Sequence, residues 1–418
     1  MRVLIVNTSD RTGGAAIAAS RLAEALNNNG VSAKMLVMEK AGDRIYVASL
    51  NGWMKRSWCF AYERFVIWMN NLFSRKNLFA VSIANTGYDI TKTQEFKEAD
   101  IIHLHWVNQG MLSLRGIRKI MKSGKPVVWT MHDMWELSAI CHYTYDCTNF
   151  KDECRNCHFL RFPGRKDLAG RVFRKKLKAM RGNAVYVAVS NWLADNARAS
   201  RLLGENRVEV IPNSISLSRF SIKSKIDSRD YFKIGGNKKV IVFGAARIDA
   251  EIKGFAYLKQ ALAILADKRE TAKESLMLVM FGGCKDERVL EDIPVPYNFL
   301  GRVKGEKELS MLYSAADVVV SSSLYETFGQ TLIEAQACGC IPVSFDNSGQ
   351  TDIITHKENG YLARYKSVKD LADGIEWALS SGLRREDLRR NVVKRFSESV
   401  VAGQYMKLYS EITHGKCR

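Results

Sequence analysis

Several features that mark large classes of protein are scarce or missing in this chain. Six prolines stand among 418 residues, with neither a low-complexity tract nor a tandem repeat, so a repeat array is not expected. No run of about 18 consecutive apolar residues occurs, so no helix is expected to span a membrane. The opening run Met1–Val6 ends at polar Asn7, Thr8, Ser9 and Asp10 without a small-residue cleavage site, and does not read as a signal peptide. A cytoplasmic location is expected, at most against the inner face of the plasma membrane. Nine cysteines, an odd number scattered along a long chain, fit reduced thiols better than a disulfide framework.

What the chain does have is apolar mass and positive charge. Hydrophobic residues make up 46% and aromatics 10%, which supports a sizeable core and excludes wholesale disorder. The length suits two domains of similar size. A balance of 63 Lys and Arg against 44 Asp and Glu leaves +19. Nucleic acid, an anionic leaflet and a pyrophosphate-bearing substrate all answer that charge, as does a basic surface that only aids solubility.

Short apolar runs alternate with helix-length amphipathic segments, the pattern of parallel α/β units. The expected strands are Val3–Val6, Ala33–Val37, Asp100–His105, Pro126–Thr130 and Tyr186–Val189 in the first half. Those of the second half are Val208–Ile211, Val240–Phe243, Leu276–Phe281, Val318–Ser321 and Ile341–Phe345. Two doubly wound, Rossmann-like sheets follow, over 1–205 and 206–395, with a terminal helix over 396–418. Tyr405, Leu408, Tyr409 and Ile412 give that helix an apolar stripe, expected to return to the first domain.

Two glycine turns invite a phosphate. Val3–Val6 leads through Asn7 to Gly13-Gly14 and a helix that stops near Gly30. Such a loop lets backbone N–H groups approach an anion, although it is not the Gly-x-Gly-x-x-Gly of dinucleotide binding, and a plain tight turn explains it as well. In the second half, Ser321-Ser-Ser-Leu-Tyr-Glu326-Thr-Phe328-Gly329-Gln-Thr-Leu-Ile-Glu334 places two glutamates, with seven residues between them, around a glycine turn and a helix start.

This segment resembles the signature of family 4 glycosyltransferases, which have the two-Rossmann GT-B fold with the domains facing a cleft. The resemblance runs in order along nearly the whole chain. Gly13-Gly14, Asp100–His105, Thr130–Asp133, Ile211-Pro-Asn213, Gly244–Lys253, Gly301-Arg302-Val303, Glu326–Glu334 and Glu358–Leu362 carry it. It implies a nucleotide-diphosphate sugar donor, UDP- or GDP-linked, and a glycan or lipid-linked acceptor of bacterial surface-polysaccharide assembly. Glu334 then meets the ribose hydroxyls and Glu326 lies by the donor sugar. Gly13, Gly14 and the amides at Phe328 and Gly329 belong to donor binding, and Val303 to the nucleotide base. Arg247 and Lys253 hold the leaving diphosphate, and His132 stands beside donor sugar and acceptor.

Physical chemistry favours these residue types. Negative charge grows on the leaving phosphate, and two fixed cations stabilise it without a catalytic metal. A convincing Asp-x-Asp donor-metal motif is absent. No carboxylate pair stands out as nucleophile and acid/base, with Glu326 the candidate nucleophile, so the resemblance implies retention by front-face attack. Domain closure would then exclude water. His103, on the same strand face as His105, reads as a structural histidine, and Asn191 as either a cleft residue or a helix cap.

Two segments fall outside the signature. Cys141, Cys147, Cys154 and Cys157 lie within 17 residues and end in Cys-x-x-Cys. Four thiolates suit a structural zinc, while a reduced Cys-rich loop or a redox pair are the alternatives. Trp53–Lys76 mixes aromatics with cations, with Trp58, Tyr62 and Phe65 on one helical face, as in a helix lying on an anionic membrane or one packed into a core. Rival functions are a two-Rossmann nucleotide-sugar epimerase and a zinc-containing nucleic-acid-binding protein. No nucleic-acid motif is present, and no nucleic-acid partner is expected.

Overall fold

The computed structural model describes residues 1–50, 52–268 and 275–414. The chain forms two compact units, Met1–Ser214 with Val401–Arg418, and Ile215–Val400.

The first unit holds a seven-stranded sheet of β1 (Arg2–Ser9), β2 (Ser32–Glu39), β3 (Val47–Ser49), β4 (Ile101–Leu104), β5 (Val127–Met131), β6 (Ala184–Ala188) and β7 (Val208–Val210). Their order is β3-β2-β1-β4-β5-β6-β7 and every pairing is parallel. β4, β5 and β6 are buried along their whole length, which explains the unbroken apolar runs of the sequence. The strand expected to open the second half, Val208–Ile211, is instead the edge of this first sheet, where Val208 pairs with Tyr186 and Val210 with Ala188. The seam moves accordingly, from 205/206 to 214/215.

Helix Glu398–His414 supplies the last layer. It buries Val401, Ala402, Tyr405, Leu408 and Tyr409 in one core with Val3, Ile5, Val128 and Val187. The apolar stripe thus covers the sheet of the first unit, and the helix begins at Glu398 rather than 396 because a separate helix, Arg385–Phe396, precedes it.

The second unit holds β8 (Lys239–Arg247), β9 (Leu276–Gly283), β10 (Tyr297–Phe299), β11 (Val318–Ser321), β12 (Ile341–Phe345) and β13 (Tyr361–Ala363), ordered β10-β9-β8-β11-β12-β13. These pairings are parallel too. Both sheets therefore reverse direction beside their first strand, between β1 and β4 and between β8 and β11. Such a switch opens a crevice beyond the carboxyl ends of the strands, the usual ligand position in open α/β sheets.

Candidate active site

In the second unit, the loops after β8 and β11 carry most of the expected residues. β8 ends at Arg247, whose Nε donates to Asp249 Oδ1 at 3.1 Å, with a second bond from Nη2 to Oδ2. This fork raises the Arg247 pKa and lowers that of Asp249. The Arg247 side chain is 47% exposed and that of Asp249 only 2%, so the carboxylate is a fixed anchor and the guanidinium faces outward.

Lys253 closes the short turn Glu251–Lys253, and Gly254 follows at φ 64°. A Cβ on Gly254 would stand 1.9 Å from the Ser322 carbonyl oxygen, so only glycine lets this loop touch the chain after β11. That contact brings Lys253 Nζ to 2.6 Å from Glu326 Oε2. Glu326 is itself held at both ends of its peptide: its N–H donates to Ser348 Oγ at 3.1 Å and its carbonyl accepts from Gly349 N–H at 2.7 Å.

Gly329, at φ 110°, turns the chain into helix Gln330–Ala337, while Phe328 is buried edge-on against Phe396 at 5.8 Å. Glu334 sits in the second turn, 5% exposed, where Tyr313 donates from its hydroxyl to Oε2 at 3.4 Å. Val303 is half-buried behind Gly301, whose carbonyl accepts from Gly282 N–H at 2.7 Å and ties this loop to the end of β9.

In the first unit, Gly13 at φ 92° precedes helix Gly14–Asn28. A Cβ at either Gly13 or Gly14 would meet nothing within 4 Å, so the outer side of the loop is open. Ser9 Oγ shapes the turn by accepting from Arg11 and Thr12 N–H groups. Asn7 Oδ1 accepts from Trp106 N–H at 2.9 Å, which links the loop to the end of β4.

Past β4 and β5 the histidines converge. His103 bonds through Nδ1 to the Tyr409 hydroxyl at 2.6 Å and through Nε2 to Thr130 Oγ1 at 2.8 Å, and Thr130 Oγ1 also meets the Tyr405 hydroxyl at 2.8 Å. It is a structural residue that locks the terminal helix onto the sheet. His105 Nδ1 lies 2.8 Å from His132 Nε2. Burial lowers the pKa of His103 to about 3 and of His132 to about 4, and drives that of His105 well below its usual 6.5. All three are neutral near pH 7.

Asp133 serves packing rather than chemistry. Its Oδ2 accepts from Trp106 Nε1 at 2.8 Å and pairs with His142 Nδ1 at 2.7 Å, while His142 Nε2 meets Ser82 Oγ at 3.1 Å. Ser82, His142 and Asp133 have the spacing of a nucleophilic triad, but Ser82 is 0% exposed and Arg64 also bonds its hydroxyl. The set braces the loop after β5. Asn191 is the first residue of helix Asn191–Ala199, and its neighbour Ser190 caps that helix by accepting from Leu193 N–H.

The geometry does not support the zinc expectation for the cysteine loop. Cys141, Cys147, Cys154 and Cys157 all line one cavity of about 20 Å³. Among the described residues, however, no three His, Cys, Asp or Glu form a group that could hold a metal ion, so the expected zinc ligand set is not assembled. Burial keeps three of these thiols protonated, with pKa values pushed up to about 11 for Cys141 and about 12 for Cys154 and Cys157. The loop is held by Asp167 instead, which accepts from Cys157 N–H at 2.9 Å and from Gly170 N–H at 2.8 Å.

Asp249, Tyr313 and Ser348 were not singled out by the sequence reading. Asp249 left a faint signal, standing two residues after Arg247; Tyr313 and Ser348 lie on other segments and left none.

Two family models match the chain: Glycosyltransferase Family 4 over residues 12–219 and Glycosyl transferases group 1 over residues 225–395. An uncharacterized glycosyltransferase of Methanocaldococcus jannaschii is 26% identical over 80% of this chain and 90% of its own. The N,N'-diacetylbacillosaminyl-diphospho-undecaprenol alpha-1,3-N-acetylgalactosaminyltransferase of Campylobacter jejuni is 28% identical over 52% of this chain and 58% of its own. Among solved structures, sucrose-phosphate synthase of Thermosynechococcus elongatus superposes with TM-score 0.69 at 16% identity, covering 99% of this chain and 100% of its own. The Anabaena protein HepE with UDP-glucose gives 0.63 at 14%, covering 98% and 100%. The fold is that of the GT-B glycosyltransferases, two Rossmann-like parallel-sheet units. The chain belongs to glycosyltransferase family 4 and is a glycosyltransferase. That assignment displaces the epimerase and nucleic-acid readings.

Proposed function

We propose that the protein moves a hexose-type sugar from a UDP- or GDP-linked donor to a lipid-linked or glycan acceptor in surface-polysaccharide assembly, with retention and without a catalytic metal. The observation that carries the reading is the pairing of Lys253 with Glu326 and of Arg247 with Asp249 beyond the carboxyl ends of β8 and β11. Two cations held by carboxylates form a preorganised seat for a diphosphate, beside the start of the helix that carries Glu334.

In this mechanism Glu334 binds the ribose hydroxyls, amides at Phe328 and Gly329 meet the diphosphate, and Val303 meets the base. The acceptor hydroxyl attacks the anomeric carbon from the face that the diphosphate leaves. The carbon–oxygen bond to phosphate breaks as the new one forms, and the acceptor proton passes to the departing phosphate oxygen. Arg247 and Lys253 hold the charge. His132, neutral, offers hydrogen bonds to sugar hydroxyls, and Gly13-Gly14 leaves room for substrate. UDP-glucose in the Anabaena structure supports the donor class, and the diphospho-undecaprenol of the Campylobacter enzyme supports a lipid-linked acceptor.

Helix Trp53–Asn70 supports contact with an anionic membrane. It buries Cys59, Glu63, Arg64 and Ile67 and leaves Trp53, Trp58, Tyr62 and Phe65 exposed, with Lys55, Arg75 and Lys76 also exposed nearby. An aromatic face rimmed by cations suits an anionic interface. No helix among the described residues is long and apolar enough to cross a membrane.

The test is a thermal-shift and product-release screen of UDP-, GDP- and ADP-sugars on wild type, Glu334→Ala and Arg247→Ala. One donor should raise Tm in the wild type and lose that effect in Glu334→Ala. A wild type that no donor stabilises or reacts with would overturn the reading. Co-sedimentation with anionic against neutral vesicles, lost in Trp58→Glu/Phe65→Glu, tests the membrane contact; equal pelleting with both vesicle types would refute it.

A further inference from the structure

We propose that His105 is a positioning residue for His132: it donates from Nδ1 to His132 Nε2 and so fixes that ring both in orientation and in the tautomer that carries its proton on Nδ1. The importance given to His132 rests on the donor-side role proposed above; the hydrogen-bond assignment does not.

Four observations on the first unit carry this inference. The two nitrogens are 2.8 Å apart, and with centroids 5.1 Å apart and planes within 20° the rings meet edge to edge, as an in-plane N–H···N bond requires. His105 is anchored by its backbone, its N–H donating to Val6 O at 2.9 Å and its carbonyl accepting from Trp129 Nε1 at 3.0 Å. Its residue is 1% exposed, and its Nε2 has no hydrogen-bond partner among the described residues. Lastly, the ring next to it on the other side, His103 at 4.3 Å, has both nitrogens committed, to Tyr409 and Thr130.

The direction of the bond follows from the unpartnered nitrogen. A buried N–H without an acceptor forfeits a hydrogen bond it had in water, and orphaned buried N–H groups are rarer than under-satisfied lone pairs. His105 therefore keeps Nε2 as the bare lone pair and carries its proton on Nδ1. Nδ1–H must then donate, and His132 Nε2 must accept. A neutral imidazole has one proton, so that of His132 resides on Nδ1. Burial, which holds both rings neutral, prevents a second proton from undoing the arrangement. For a group meant to meet uncharged sugar hydroxyls, a single defined donor atom is worth more than a ring free to flip between tautomers.

The experiment compares wild type with His105→Phe, which keeps a buried ring and removes the donor, and His105→Asn, whose amide nitrogen takes about the place of Nδ1. Long-range proton–nitrogen NMR on histidine-labelled protein, with His132→Asn for assignment, reads the tautomer without substrate. The expected result is Nδ1–H for His132 in the wild type and a mixture in His105→Phe. On the donor that the thermal screen identifies, kcat falls roughly 10-fold in His105→Phe with the donor KM little changed, and His105→Asn recovers most of it. An Nε2–H form of His132 in the wild type would overturn the proposal. So would an unchanged tautomer in His105→Phe, or kcat losses of equal size in both variants. Should His105→Phe not fold, the wild-type spectrum and the His105→Asn kinetics decide. Because the spectrum needs no donor, it stands or falls separately from the glycosyl-transfer mechanism.

Discussion

The two units share a strand order and differ in the electrostatics at their carboxyl ends. Beyond β8 and β11 the second unit sets charge against charge, Arg247 with Asp249 and Lys253 with Glu326. Beyond β4 and β5 the first unit buries three neutral histidines against one another. One topology thus supports two kinds of site. Ion pairs near solvent remain charged and can meet a diphosphate. Rings taken out of water lose their charge and keep directional hydrogen bonds, which suit hydroxyl groups.

The contrast can be broken most severely at Arg247. Its side chain is exposed but its partner Asp249 is covered, so Arg247→Ala should lower Tm modestly through the unpaired carboxylate while kcat falls about 10³-fold, the scale of losing one preorganised charge contact in a transition state. Steady-state rates beside a melting curve check this, and a loss under tenfold would remove Arg247 from the mechanism.

Acid should attack the other unit. His132 binds a proton near 6.5 when unfolded but only at about 4 when folded, so between those values the unfolded state holds more protons. Stability is therefore intact above pH 6.5 and declines as pH falls towards 4, by roughly 3 kcal/mol for this residue at one pKa unit per about 1.4 kcal/mol. His103, lowered to about 3, acts in the same direction. Urea unfolding from pH 7 to pH 4 reads it; a flat midpoint would mean that these rings are not buried as neutral groups.

Two glycines sharpen the comparison on a smaller scale. Gly254→Ala combines a left-handed φ with overlap on Ser322 and should cost about 3 kcal/mol, with Lys253 displaced and activity lost. Gly13→Ala has open space around it but a backbone at φ 92° and ψ 165° that only glycine adopts readily, and should cost about 2 kcal/mol. Chemical denaturation of the pair should keep that order. Smallest in its effect on turnover is Tyr409→Phe, which deprives buried His103 Nδ1 of its partner and should cost about 1–2 kcal/mol of stability.

Much of this was legible beforehand. Strands such as Val3–Val6 and Val318–Ser321 are covered on both faces, so their apolar runs stand out in one dimension. The glycine turns and paired glutamates are local motifs, and each lies after the strand the sequence expected. The edge strands β3, β10 and β13 were missed, being three residues long and half-exposed in part, too short for a periodic signal. β7 was visible but assigned to the wrong sheet, because an apolar run does not state which neighbour it will bond. In the cysteine cluster the spacing does bring four thiols around one cavity, while among the described residues no group of three metal-binding side chains forms.

By itself, then, the order of amino acids determined the class of fold, the positions of the glycine turns and the identity of the charged groups, because each depends on neighbours within a few residues. Tertiary structure alone decided the partners: Glu326 for Lys253, Tyr313 for Glu334, His105 for His132, and the aromatic face of helix Trp53–Asn70 left outside the core. Those pairings join segments far apart in the chain or depend on which face a neighbour covers. Burial then sets which groups keep their charge, and that balance between desolvation and pairing exists only once the chain has packed.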